Sequence, residues 1–212
     1  MIRTKTNLVG MKKIEWSIQI DTLLEYLNLM VPISPSFRRE IRSMLTQHSF
    51  IGKHLLVNPG TYVNRAWFNV DGFVIASLVE ENGTERVIRI YQPWQIFTDM
   101  FSFLKSRPST LKFSVITKCT LLVIQRSDYE TLKIYPETQD LFSNIMWEEQ
   151  KIEIFRTRLM TLTDQSKVIE FASVYPINKL PNKVCASFLK MTESRFSIAK
   201  AKFNRMKDIN SK

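Results

Sequence analysis

Residues 138–162 read TQDLFSNIMWEEQKIEIFRTRLMTL, and their apolar positions recur at a spacing suited to a helix that faces another helix. Leu141, Ile145, Ile152, Phe155, Leu159 and Leu162 step by four and three, with Glu148 as the single polar member of the series. That spacing predicts a seam of about three heptads. Glu148, Glu149, Lys151, Glu153, Arg156 and Arg158 lie on its flanks, as suits a solvated face with ion pairs at helical spacing. Two readings stand side by side: a rod along which two copies of the chain meet, or a core helix packed on its own domain. The two sides of this stretch differ in kind, short runs broken by glycine turns before it and a small basic helical unit after it.

Upstream, Trp16 to Leu29 places Ile18, Leu23, Leu24 and Leu27 on one face of an amphipathic helix, and Ser36 is positioned to cap a second helix through Phe37, Ile41, Met44 and Leu45. From His48 the period changes. The strand-like runs Tyr62 to Val70, Phe73 to Val79 and Arg86 to Tyr91 are separated by Asp71-Gly72 and Asn82-Gly83, hairpin signals because a two-residue primed turn needs positive φ. Gly60, Gly72 and Gly83 lie 12 and 11 residues apart, which favours a sandwich or rolled antiparallel barrel over a parallel sheet. After Arg107-Pro108-Ser109 come two further strands, Leu111 to Ile116 and Leu121 to Gln125. Ser127 then caps a short helix, Asp128 to Ile134, which Pro136 ends.

Downstream, Gln165 to Tyr175 reads as a helix using Val168, Ile169, Ala172 and Val174, stopped by Pro176. A short helix follows within Lys179 to Leu189, with Ala186 where two helices approach closely. Lys190-Met191 makes a turn, and Thr192 caps a final helix to about Met206 with Phe196, Ala199, Phe203 and Met206 inward. This is the pattern of a helix-turn-helix, whose second helix enters a major groove by its N-terminal end.

The composition, 44% apolar and 24% charged over 212 residues, is that of a soluble globular chain with room for two domains. Tyr26 to Phe37, the longest uncharged run, holds Pro32 and Pro35 and is too short to span a bilayer. Residues 1–14 carry Arg3, Lys5, Lys12 and Lys13 without a signal-peptide apolar core, so a cytoplasmic location is expected; Met11 before Lys12 leaves open loose leading residues or a later start. Cys119 and Cys185, far apart, make neither a disulfide framework nor a metal cluster and read as buried apolar residues. The formal charge is +10, and residues 163–212 hold ten basic against four acidic residues, +6 in all. Such a concentration attracts polyanions, nucleic acid above all; the plainer alternative is a basic face that serves solubility.

The order of these parts, with the Gly60 turn, Asp71-Gly72, Asn82-Gly83 with Glu85, Gln92 to Met100 and the hairpin Val115 to Ile124, resembles the Crp/Fnr superfamily over nearly the full length. The resemblance implies an α+β fold: an antiparallel, jelly-roll-like β roll with flanking helices (1–137), a long dimerisation helix (138–162) and a small winged-helix-type domain with a helix-turn-helix (163–212). Ligand-binding members carry Phe-Gly-Glu-Leu and, ten residues after the Glu, an Arg followed by Ser or Thr. The Glu meets a ribose hydroxyl and the Arg a cyclic phosphate. In this chain Thr98 stands at the glycine, Asp99 at the glutamate, Ser109 at the arginine and Thr110 at the hydroxyl position. Arg107 and Lys112 are near in sequence but out of place. Losing a bidentate charged contact in such a site costs about 2–5 kcal/mol, so cyclic AMP binding in the family's manner is not expected. Asp99, Ser109 and Thr110 form at most a degenerate cassette, leaving open another small ligand or a roll that serves as scaffold. Neither an iron–sulfur cluster nor haem is expected, since there is no cysteine cluster and His48 and His54 are the only histidines.

In the same way the superfamily's Leu-Pro-x-x-x-Ile-Ala-x-x-Leu-Gly-x-Thr-x-Glu-Thr-Leu-Ser-Arg is matched by Leu180-Pro181, Ala186, Leu189, Thr192 and Ser197. Lys190 replaces the turn glycine, Ser194 the base-reading glutamate and Ile198 the base-reading arginine. Thr192, Ser194, Arg195, Ser197 and Lys200 are the expected DNA contacts, with Arg195 the candidate for a guanine. The sequence brings together no phosphate loop, zinc-spaced ligand set or nucleophile and base, so no enzymatic activity is expected. The expectation is a homodimeric, DNA-binding transcription regulator; the rival is a ligand-binding or protein-interaction module with a vestigial helix-turn-helix.

Overall fold

The structure, a computed structural model, describes residues 3–210, with side chains described over 16–207. Of the expected loose leading residues, Met1 and Ile2 lie outside the described residues, as does Lys212. The chain divides into two compact units, residues 1–75 with 90–146, and residues 76–89 with 147–212. The division falls inside the long helix that spans Pro136–Met160.

The first unit begins with α1 (Arg3–Met30) and α2 (Pro35–Met44). α2 is capped by Ser34, whose side chain accepts from Phe37 N, and not by Ser36. Pro35, with φ preset for the first helical position, fixes the cap one residue before it. Leu23, Leu24 and Leu27 of α1 and Phe37 and Ile41 of α2 are buried with Phe68, Leu122, Leu132 and Leu141 in one apolar cluster.

Eight strands follow: β1 (Thr46–Phe50), β2 (His54–Val57), β3 (Arg65–Asp71), β4 (Val74–Val79), β5 (Glu85–Tyr91), β6 (Ile96–Phe97), β7 (Leu111–Val115) and β8 (Cys119–Gln125), with the short helix α3 (Met100–Lys105) between β6 and β7. They form two open four-stranded sheets, ordered β1-β8-β3-β6 and β2-β7-β4-β5, rather than a closed barrel. Trp67 pairs with Phe97 and Val123, and Phe68 with Ile96 and Leu122, so alternate residues of β3 face opposite ways. Phe68 and Leu122 join the helix cluster. Trp67 and Phe97 turn inward and stack on Phe113, and Phe97 stacks on Tyr91 with ring centroids 4.7 Å apart. All four rings are buried, so the roll's interior is filled by aromatic side chains.

Asn82-Gly83 joins β4 and β5, neighbours in one sheet. Asp71-Gly72 leads from β3 in one sheet to β4 in the other and is a crossover turn rather than the expected hairpin, because β3 pairs with β8 and β6. Neither turn has the two-residue primed form. Only the glycines have positive φ, +80° at Gly72 and +78° at Gly83. Glu80 N donates to Thr84 O and Gly83 N to Glu80 O, closing a three-residue loop with glycine in its left-handed position. At Gly72 the conformation is doubly required, because a Cβ there would lie 2.2 Å from Lys118 O.

β8 runs into α4 (Arg126–Leu132), which starts two residues earlier than expected. Gln125 and Asp128 form its capping box, and Ser127 falls inside the first turn. Pro136 does not separate the next helix from its start; it opens α5 (Pro136–Met160), at the position where a missing N–H costs nothing. The apolar seam of α5 packs on the chain itself: Leu141 and Leu159 are 5% and 0% exposed, and Phe155 meets the ring of Tyr175. The reading as a core helix therefore holds for that face. The opposite face, with Trp147 60% and Ile154 55% exposed, is the apolar stripe that looks outward.

In the second unit α5 is followed by α6 (Asp164–Val174), α7 (Asn182–Phe188) and α8 (Glu193–Asn210). Thr163 caps α6 by accepting from Ser166 N. Phe171, Tyr175 and Phe188 form a buried ring cluster, and Ala186 is 1% exposed. Phe196 and Ala199 of α8 point inward as expected and Phe203 is half-buried, but Met206 is 41% exposed. With 18 residues, α8 outlasts the 11 of α6 and the 7 of α7, which leaves Met206 uncovered. Among the described residues no strand lies between 164 and 210, so the strands of the expected winged-helix-type domain are not found there, only helices.

Candidate nucleic-acid interface and the cassette positions

The turn between α7 and α8 is built from backbone carbonyls. Leu189 N donates to Cys185 O at 3.0 Å and Met191 N to Ala186 O at 2.9 Å, a left-handed helix ending that places Lys190 at φ +53°. Lys190 thus adopts the conformation natural to the glycine it replaces. Thr192 caps α8: its Oγ1 accepts from Arg195 N at 3.3 Å and its carbonyl from Phe196 N at 3.0 Å. The cap takes up one N–H of the first turn, and a helix start leaves others without partners inside the helix, which suits phosphate or base oxygens.

Ser194, Ser197 and Ile198 stand exposed on this end of α8, and Lys202 and Arg205 continue the face. Thr192 is also exposed, though its hydroxyl oxygen serves the cap. Two of the five expected contacts are engaged within the domain. Arg195 donates from Nε and Nη2 to Asp164 Oδ2, each at 2.6 Å, and Lys200 Nζ donates to Ile177 O and Asn182 Oδ1, each at 3.0 Å. Lys200 therefore braces the loop before α7. Arg195 stays on the surface, beside a shallow cleft that Lys167, Ile198 and Lys202 line with the start of α6. Asp164 and Asn182 were not legible as partners, because they lie 31 and 18 residues from the cations they meet.

Also in this unit, the hairpin end 76–89 is fastened to helices. Val87 N donates to Ser187 Oγ of α7 at 2.9 Å, and Arg89 pairs with Glu149 at 3.3 Å and Glu153 at 2.5 Å on α5. Burial pushes the Cys185 thiol up to about 12, and burial with the nearby Asp71 carboxylate does the same to Cys119. Both thiols stay protonated near neutral pH, unlike reactive cysteines.

At the cassette positions the structure brings Asp99 and Ser109 together. Asp99 caps α3, its Oδ1 accepting from Ser102 N at 3.0 Å, while Oδ2 accepts from Ser109 Oγ at 2.6 Å. Ser109 Oγ also accepts from Leu111 N at 3.0 Å. Both residues are buried, so their polar atoms serve each other and the backbone. Thr110 and Arg107 are exposed. The loop is tied down by Gly60 N to Ser109 O at 2.7 Å and Ser109 N to Thr61 O at 2.8 Å. Among the described residues no group of His, Cys, Asp and Glu is arranged to hold a metal ion.

No family model matches the sequence, and a search of curated proteins finds no relative. Solved structures do match in fold. FixK2 from Bradyrhizobium japonicum superposes with a TM-score of 0.66 at 15% identity, over 76% of this chain and 85% of that one. A putative transcriptional regulator of the Crp/Fnr family from Eubacterium rectale gives 0.66 at 11% identity, over 86% and 88%. The global regulator CLP of Xanthomonas campestris, described as c-di-GMP responsive, gives 0.63 at 13% identity, over 81% and 92%. Two open antiparallel sheets with filled interior, a long following helix and three further helices make this a chain with the Crp/Fnr-type cyclic-nucleotide-binding fold.

Proposed function

We propose that the chain is a sequence-specific DNA-binding transcription regulator of the Crp/Fnr type that acts as a homodimer and does not respond to cyclic AMP through the cassette positions. The observation that carries this is the exposed N-terminal end of α8, following a short turn, in a segment with a net charge of +6. Ser194, Ser197 and Ile198 are the side chains best placed to meet base edges, while Lys202, Arg205 and Lys167 suit phosphates. Arg195 reaches DNA on release from Asp164.

Dimerisation through α5 uses the face that the chain leaves open. Trp147 and Ile154 are seven residues apart, and with Gln150 and Thr157 between and after them they step by three, four and three along one side. Two α8 helices presented together read half-sites about 10 base pairs apart. The closed Asp99–Ser109 pair, with no arginine beside it, supports indifference to cyclic AMP. No helix among the described residues is long and apolar enough to cross a membrane. The fold's relatives and the inert thiols favour a regulator over an enzyme.

The engagement of Arg195 and Lys200 inside the domain favours the rival reading, a ligand-binding or protein-interaction module with a vestigial helix-turn-helix. Selection from a pool of random duplexes separates the two. A two-fold symmetric motif is the expected result, and a pool without enrichment would establish the rival.

A further inference from the structure

Between the helix-facing side of the β1-β8-β3-β6 sheet and the helices of the first unit lies a cavity of about 120 Å³. Each surrounding helix and the sheet supply a wall: Leu23 of α1, Ile41 of α2, Phe103 of α3, Leu132 of α4, Leu141 of α5 and Leu122 of β8. Among the described residues no charged side chain lines it. Three hydroxyl-bearing side chains, Thr98, Tyr129 and Thr138, are among its lining residues, and the two threonine protons are already given away. Thr98 Oγ1 donates to Arg65 O at 2.7 Å, and Thr138 Oγ1 donates to Leu132 O at 2.5 Å.

Interiors pack as densely as organic crystals, and voids beyond the size of a water are few. A void this large is roomy enough for water but offers it almost no partners, and water needs two to four. An apolar engineered cavity of about 150 Å³ stays dry and takes up benzene. We infer that this cavity is a binding site for a small uncharged apolar molecule, of about the size of one aromatic ring or a compact branched hydrocarbon. A charged or strongly hydrogen-bonding ligand would lose its water here and regain nothing. The site is separate from the cassette positions, since neither Asp99 nor Ser109 lines it. Leu141, Phe142 and Ile145 of α5 do, so the occupant bears on that helix directly.

The inference does not rest on the DNA-binding reading, and it is tested without DNA. Benzene is titrated into the full chain carrying labelled methyl groups, and the methyl resonances are followed. The expected result is saturable change centred on Leu23, Leu122, Leu132 and Leu141, with a dissociation constant on the order of 1 mM. Ala66 also lines the space, and Ala66→Leu, which fills it, should weaken binding about tenfold or more while raising the thermal midpoint. If that variant does not fold, Leu141→Ala decides: by widening the cavity it should admit the larger indole, which the wild-type chain takes up poorly. Absence of saturable change, or change spread over exposed residues such as Leu29 and Ile134, overturns the inference. So does undiminished benzene affinity in a folded Ala66→Leu chain, or an unaltered preference in Leu141→Ala.

Discussion

The cassette loop has Ser109, and the start of α8 has Ser194 and Ile198, where the Crp/Fnr resemblance calls for charged side chains, yet the replacements have opposite physical consequences. At the cassette, Asp99 and Ser109 turn toward each other and are buried, with every polar atom committed. On α8, Ser194 and Ile198 stand in solvent, on a helix end whose backbone is prepared for an anion. A small residue in place of a large charged one closes a concave site, because the neighbours collapse onto each other. On a convex helix the same kind of change alters only what is displayed. On the proposed reading the roll serves as a scaffold and the helix as an altered reader.

That contrast can be broken or sharpened by substitution. The largest effect is expected from Trp147→Lys with Ile154→Lys, which charges the outward stripe of α5. If the stripe joins two copies, duplex affinity should fall about 1,000-fold, or ~4 kcal/mol, and light scattering should report single chains. An unchanged mass and affinity would place the dimer contact elsewhere. Next is Gly72→Ala in the roll. A methyl against Lys118 O at positive φ should cost about 3 kcal/mol in denaturant unfolding, without altering the sites read by the folded fraction.

Asp99→Ala removes a helix cap and leaves a buried serine hydroxyl unpaired, so it should destabilise the roll by about 2 kcal/mol. If the cassette were instead a working ligand site, the same change would abolish a ligand response and leave stability nearly untouched. The smallest effect is expected at the turn. Lys190→Gly relieves a left-handed lysine and should raise stability by about 1 kcal/mol with DNA binding retained. A loss of affinity there would mean that the lysine itself touches the duplex.

Much of this architecture was legible because its signals are local. Gly83, the Lys190 turn and the Thr192 cap each depend on a few adjacent residues and were found where expected, whereas Gly72 makes a turn but between strands of different sheets, since pairing partners are not a local signal. β1 was not legible. Its residues TQHSF are almost wholly exposed and show no alternation, and they form a strand because β8 offers Cys119 to Val123 as a pairing edge. The seam of α5 was plain as a period, but a period does not say whether the chain or a second copy covers it. The closing of the cassette was hidden for a similar reason: Asp99 and Ser109 are ten residues apart, and only the folded loop makes them neighbours. Asp164 as the partner of Arg195 is a still longer-range fact.

The most direct test of an open helix beside a closed cassette is the binding of a labelled duplex at about 50 mM salt, measured over rising salt with and without cyclic AMP. The account expects binding that weakens steeply as salt increases and that cyclic AMP does not change. No binding at the lowest salt, or affinity that rises with the nucleotide, would contradict it.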